Sequence, residues 1–287
     1  MFNMTWFKNI LILGKAGISS SVALTTATGY ILSQRDITIS VISPMIGVYL
    51  LAMSASIINQ IIEMRADSLM ARTQIRPLVS RSVSVTNASI ISTILGLSGF
   101  TILLIFNGLI PALLGIFTLI WYDAVYTPLK YHTAFAAFPG GLSGAIPPLI
   151  GWIAGGGQIL HPCAIALATF LFIGQIPHFW LILLKYGEEY HIAGIKTITQ
   201  KFSTIQIKRL VLVWILATAL AGNLLAFFLI INHVSVFYII HLLSLALVLY
   251  FILWYNKSDR PVFKSAFILI NVYYLLVMLI LIIDIAI

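Results

Sequence analysis

Charged side chains are scarce in this 287-residue chain. Asp, Glu, Lys and Arg make up 8% of it, where a soluble globular domain carries roughly a quarter. With 61% hydrophobic residues and a mean hydropathy of +1.06, that shortage excludes a water-soluble globule of this length. Cysteine is nearly absent too: Cys163 stands alone, so there is no intramolecular disulfide and no cysteine metal cluster. The polar–apolar alternation that barrel strands require is also missing, and helices are the remaining way to satisfy a backbone inside a bilayer. No tail, linker or low-complexity tract offers a second soluble unit, so residues 1–287 are expected to form one membrane domain.

What the chain does have is a series of apolar runs close to the length of about 20 residues that a helix needs to cross the hydrocarbon core. They lie near 10–33, 38–62, 88–106, 109–125, 135–153, 162–184, 210–231, 234–255 and 266–287. The expected fold is therefore all-α and integral to the membrane, with about nine transmembrane helices around a central cavity. Residues 1–15 carry two lysines and aromatic residues ahead of a run too long for a signal-peptide core, with no small-residue cleavage site. They read as a short interfacial helix.

Basic residues alternate between loops. Lys8 and Lys15 sit at the amino terminus and Arg35 alone falls in the first loop. Arg65, Arg72, Arg76 and Arg81 follow the second span, Lys130 the fourth, Lys185, Lys196, Lys201, Lys208 and Arg209 the sixth, and Lys257, Arg260 and Lys264 the eighth. The positive-inside bias puts the amino terminus and these loops in the cytoplasm; the expected setting is a multi-pass protein of a prokaryotic plasma membrane. The net charge of +8 follows from that topology and suits anionic headgroups. It gives no hint of nucleic acid.

Acidic residues are fewer still, 8 in all, and they cluster. Directly after the second span, Asn59, Glu63 and Asp67 recur every four residues. Continued as a helix, they face nearly the same way, drifting about 40° per step with neighbours about 6 Å apart. Glu63 and Asp67 can then share one Mg²⁺-bound group while Asn59 acts farther along it. Arg72 and Arg76 follow, and guanidinium forks match phosphate oxygens. Together they suggest a metal-bridged diphosphate. Taken singly, each of these residues is equally consistent with a solvated loop whose arginines fix topology.

Two further segments fall on the same side. Residues 121–133 close the fourth span with Asp123, Tyr126, Lys130 and His132, and lead into a Gly- and Pro-rich fifth span, 139–152. That helix is expected to kink or break beside a pocket, or else to pack closely through its small residues. Asp123 needs a partner inside the membrane, and Lys130 is the nearest candidate. The sixth span ends with His178, Lys185, Glu188, Glu189 and Tyr190. Two acidic clusters on one face could close on a diphosphate through Mg²⁺, held by Glu63, Asp67, Glu188 and Glu189. His178 lies inside the span, where it is either an interhelical hydrogen bonder or a ligand or positioning group for haem or another substrate. Tyr122, Tyr126, Phe179, Trp180, Tyr186 and Tyr190 could stabilise an allylic cation, or belong to the interfacial aromatic belt.

In order and spacing these segments resemble the UbiA superfamily of intramembrane prenyltransferases and, within it, the haem O synthase (protohaem IX farnesyltransferase) family. Residues 59–78 resemble its Asn-x-x-x-Asp-x-x-x-Asp-x-x-Met-x-Arg-Thr-x-x-Arg-Pro-Leu motif, with Asn59, Asp67, Met70, Arg72, Thr73, Arg76 and Pro77 in register. Residues 126–130, 144–152, 175–190 and 193–195 look like its other signatures. Beyond Lys208 only hydropathy agrees. Departures fall at polar positions: Glu63 stands for Asp, Lys15-Ala16-Gly17 for Lys-Pro-Arg, Tyr131 for Arg, and Glu188-Glu189 for an Asp pair.

The resemblance implies a UbiA-type fold. It also implies transfer of farnesyl from farnesyl diphosphate to the 2-vinyl group of haem b, giving haem O and diphosphate. Asn59, Glu63, Asp67, Glu188 and Glu189 would then be catalytic, with the four carboxylates on Mg²⁺. Arg72, Arg76, Lys130 and Lys185 would meet the diphosphate, and His178 and His132 would face haem, which is a substrate and not a bound cofactor. Haem A synthase is an implied downstream partner. A quinone, phenolic or other lipid acceptor is the alternative within this chemistry, and a haem or lipid carrier the alternative outside it. A carrier needs its polar site near the bilayer midplane; these clusters sit at span ends.

Overall fold

A computed structural model describes residues 4–228, 231–255 and 260–287. Lys257, expected in a basic loop, Met1–Asn3 of the interfacial segment and positions 229–230 of the seventh span lie outside the described residues. Twelve α-helices follow in order: α1 (Met4–Leu13), α2 (Ala16–Gln34), α3 (Ile42–Ile62), α4 (Met64–Leu69), α5 (Val85–Asn107), α6 (Leu109–Ile120), α7 (Thr127–His132), α8 (Ala137–Ala154), α9 (Pro162–Ile192), α10 (Thr204–Phe228), α11 (Val234–Tyr255) and α12 (Arg260–Ala286). Among the described residues seven helical segments are long and apolar enough to span a membrane, and α1 with α2 form an eighth candidate bent by 55° at Gly14-Lys15. The remaining expected crossing, α8, is 18 residues long and packs against α2, α6 and α9.

The chain's apolar surplus explains the outer surface. Ile94, Leu97, Leu220, Phe227, Leu242 and Leu253 are exposed, and such a girdle is stable against lipid but not against water. Inside, Phe170, Trp180, Phe251, Trp254 and Tyr273 pack the carboxy-terminal half. Several polar groups within the bundle find partners: the Ser54 hydroxyl donates to the Ser92 carbonyl at 2.8 Å, and Ser244 meets Tyr273 at 2.9 Å. Asp284, 2% exposed, accepts from the backbone N–H groups of Asn232 and His233, each at 2.9 Å. It thereby ties the turn before α11 to the end of α12.

The Gly- and Pro-rich α8 runs unbroken through Pro147 and Pro148, so of the two expectations for it, close packing holds and breakage does not. Gly29 of α2 lies against the Pro148 carbonyl, and Gly151 of α8 against the Thr26 carbonyl. Backbone meets backbone there, as close packing through small residues requires. The irregular helix is instead the fourth span, where residues 121–126 form a π-helical turn between α6 and α7.

Gly151→Leu places a side chain where the Thr26 carbonyl now sits, and overpacking of that kind costs about 1–3 kcal/mol. The thermal midpoint of the purified protein in detergent should fall by several degrees. Gly17→Leu, with nothing within 4 Å of an added Cβ, should leave it unchanged.

Candidate active site

α3 stops at Ile62 because Glu63 turns to φ −92°, ψ 8°, and α4 restarts at Met64. The hydrogen-bond ladder nevertheless carries across the break, from Glu63 N to the Asn59 carbonyl at 2.9 Å and from Asp67 N to the Glu63 carbonyl at 2.8 Å. The four-residue spacing therefore keeps its side chains together, as a helix predicts. Asn59, Glu63 and Asp67 are 1%, 7% and 2% exposed, an unusual depth for such groups unless they are paired.

Each is paired. The Asn59 amide nitrogen donates to Glu63 Oε2 at 3.0 Å and to Thr127 Oγ1 at 3.1 Å, and its oxygen accepts from Lys15 Nζ at 3.2 Å. Lys130 Nζ lies 2.5 Å from Glu63 Oε1 and 4.9 Å from the centre of the Tyr126 ring. Arg76 folds back over its turn to place Nη1 2.5 Å from Asp67 Oδ2. Burial pushes the Asp67 carboxyl up, and the adjacent Arg76 guanidinium opposes that push.

The second acidic segment meets the first through Arg72. The Arg72 backbone N–H donates to Glu189 Oε2 at 3.2 Å, its guanidinium donates to Tyr190 Oη at 3.1 Å, and it lies 5.0 Å from the centre of the Tyr186 ring. Around this contact Ala66, Met70, Ala193 and Ile195 form a small apolar cluster with Tyr131 and Tyr190. The Lys196 N–H donates to the Lys130 carbonyl at 2.9 Å, so the loop after α9 is tied to both. Glu188 and Lys185 are exposed, with Lys185 Nζ 4.5 Å from the centre of the Tyr186 ring. The two loops meet, while their carboxylates stay with separate partners. Among the described residues no three of His, Cys, Asp and Glu are grouped closely enough to hold a metal by themselves. Mg²⁺ is commonly held by one or two carboxylates completed by substrate phosphates, and Glu63 and Asp67 fit that pattern.

The histidines separate. His132 is exposed at the end of α7. His178 is half-buried within α9, its ring 4.7 Å from Phe267 of α12 and beside Asn271. It lies about 18 Å along the helix from Tyr190 at 1.5 Å per residue. Between these depths Tyr122 and Tyr126 pack at 5.3 Å and Tyr126 and Phe179 at 6.0 Å.

Lys15, at a position that topology alone would explain, reaches Asn59. Its signal was its place as the last charge before a long apolar run. The partner expected for Asp123 is also corrected: Lys130 pairs with Glu63, at the break between α3 and α4, instead.

The sequence profile of the UbiA prenyltransferase family matches residues 22–277. The chain is 38% identical over 197 residues to the protoheme IX farnesyltransferase of Cytophaga hutchinsonii, covering 68% of each chain. It is 36% identical over 239 residues to that of Legionella pneumophila, covering 82% of this chain and 79% of the relative. Among solved structures, a digeranylgeranylglyceryl phosphate synthase aligns with a TM-score of 0.78 at 15% identity, over 98% of this chain and 99% of that one. A UbiA homolog from Archaeoglobus fulgidus bound to GPP and Mg²⁺ aligns at 0.71 and 14% identity, over 97% of this chain and 100% of that one. At such identities these two likenesses speak to the fold alone, and they share it with this bundle. With its family profile matched over most of its length, this multi-pass membrane chain belongs to the UbiA prenyltransferase family.

Proposed function

We propose that this protein transfers the farnesyl group of farnesyl diphosphate to the 2-vinyl group of haem b, with addition of water, to give haem O and diphosphate. The observation that carries the chemistry is the buried pairing of Glu63 with Lys130 and Asp67 with Arg76 at the end of a membrane span. The name shared by the curated relatives supplies the acceptor. A polar site at a span end also favours a transferase over a carrier, whose site belongs near midplane.

Both pairs can change partners. A diphosphate entering beside Lys130 and Arg76 offers these cations phosphate oxygens in place of carboxylates, and Arg72, with Lys185 at the rim, adds positive charge from the facing loop. Glu63 and Asp67, joined by Glu188 and Glu189 as the loops close, are the oxygen donors for Mg²⁺, which when bound neutralises the charge that the leaving diphosphate develops. Asn59 holds Glu63 in place through its amide. Tyr122, Tyr126 and Phe179 line the path inward from Lys130, where their π faces favour an allylic cation and their bulk excludes water.

His178 lies deeper, against α12, and positions the porphyrin, while His132 stands at the cytoplasmic rim. The bias of basic residues to these loops supports a cytoplasmic position for this face, and a prokaryotic plasma membrane is the setting that goes with this reading. The whole chain acts as one domain, and haem A synthase is the partner that would take the product.

Asp67→Ala should lower turnover of haem b with farnesyl diphosphate and Mg²⁺ by about 100-fold or more, the scale seen when one electrostatic contact to a transition state is lost. Mass analysis of the porphyrin after single-turnover incubation measures this. If wild-type protein leaves haem b unmodified but prenylates a quinone or phenol, the acceptor assignment is wrong. For His178→Ala, the apparent KM for haem b should rise while affinity for farnesyl diphosphate stays at the wild-type value. Equal loss on both sides would refute the division of roles.

A further inference from the structure

Asp123 differs from every other acidic side chain at this site. It lies in the π-helical turn at 121–126, a geometry that is rare in helices and frequent at functional positions. The turn packs against α3 and α8. Asp123 is 6% exposed, and both of its carboxylate oxygens are buried without a hydrogen-bond partner. Among the described residues no cation forms an ion pair with it, whereas Glu63, Asp67 and Glu189 are each held by a named donor. Its electrostatic neighbours are Lys15, Lys130 and Glu63, which places it on the diphosphate side of the site.

The surrounding donors make their contacts elsewhere. Lys130 is in contact with Glu63, Lys15 donates to Asn59, and the Thr127 hydroxyl donates to the Tyr122 carbonyl at 2.9 Å. A buried carboxylate left this way is costly, and a bound cation is one partner that would relieve that cost. Two carboxylate oxygens beside a second carboxylate in a dry site suit a small, hard divalent ion. They do not suit a further lysine or arginine, because the described residues bring none.

We propose that Asp123 is a cation ligand of the diphosphate site, supplying carboxylate oxygens together with Glu63 to the Mg²⁺ that accompanies the substrate. The assignment rests on the diphosphate reading above and extends it to a residue outside the Asn59–Asp67 and Glu188–Glu189 segments. It also gives the π-helical turn a role: the extra residue in that turn sets the direction in which Asp123 faces.

The test uses the full chain in detergent with farnesyl S-thiolodiphosphate, whose C–S bond resists ionisation. Mn²⁺ stands in for Mg²⁺, and the free-ion electron paramagnetic resonance signal reports uptake. Wild-type protein should take up Mn²⁺ in the presence of the analogue, and Asp123→Asn should raise the half-saturating Mn²⁺ concentration at least tenfold at an unchanged thermal midpoint. Unchanged Mn²⁺ affinity in folded Asp123→Asn overturns the assignment of Asp123 alone. A wild-type chain that takes up no Mn²⁺ overturns the diphosphate reading and this assignment with it. Should Asp123→Asn fail to accumulate, Asp123→Glu keeps the charge and moves the oxygens by one methylene. An affinity within threefold of wild type for that variant would then overturn the proposal.

Discussion

The structure depends on mutual neutralisation of buried charge. A chain with so few ionisable groups places Glu63, Asp67, Lys130, Arg76 and Lys15 together where three helical spans and a loop converge. Removing one member of a buried pair leaves the other uncompensated, at a cost of about 3–5 kcal/mol, while the intact pair adds little net stability. The pairs are therefore poor explanations of why the protein folds and good explanations of why the site stays assembled before substrate arrives. Ligand binding can exchange partners without creating an unpaired charge at any stage. On the proposed reading, phosphate oxygens would replace carboxylates on the cations, and a divalent ion would replace the cations on the carboxylates.

That exchange requires a firm frame around it. Gly29 and Gly151 let α2 and α8 touch backbone to backbone, and Gly140 and Gly144 of α8 lie against Tyr126 and Gln175. α8 thus packs closely against α2, α6 and α9 beside the site. At the open end of the site the loops after α4 and α9 are joined by a few contacts, Arg72 to Glu189 and Tyr190 and Lys196 to Lys130. Those contacts are partly exposed, and openings that cost little free energy are drawn from such regions. The rigid floor and the weakly tied roof suit a site that admits a long apolar substrate and then excludes water.

Much of this was legible in the sequence because the membrane simplifies it. Hydropathy located the spans, and the four-residue spacing of Asn59, Glu63 and Asp67 put them on one face even though the helix breaks at Glu63. Partner choice was not legible. Whether Lys130 would meet Asp123 or Glu63 depends on side-chain reach and on a π-helical turn, and neither has a one-dimensional signature. Lys15 looked like a topology residue because its target lies 44 positions away. Pro147 and Pro148 suggested a broken helix, but the neighbours that hold α8 are set by tertiary packing.

The departures from the family pattern divide by depth. Tyr131, where the family carries arginine, joins the apolar contact between the two loops, and Gly17, at another arginine position, is exposed with open space around it. Both lost cations belong to the rim, where solvent screens charge and an ion contact is worth little. The buried set keeps its full complement, and its one change, Glu63, lengthens a carboxylate that spans the gap to Lys130 on a different helix. Rim losses weaken steering of an anionic substrate toward the opening. They leave Glu63, Asp67, Lys130 and Arg76 in place, so on the proposed reading the sequence divergence bears on capture of the substrate more than on the chemistry that follows.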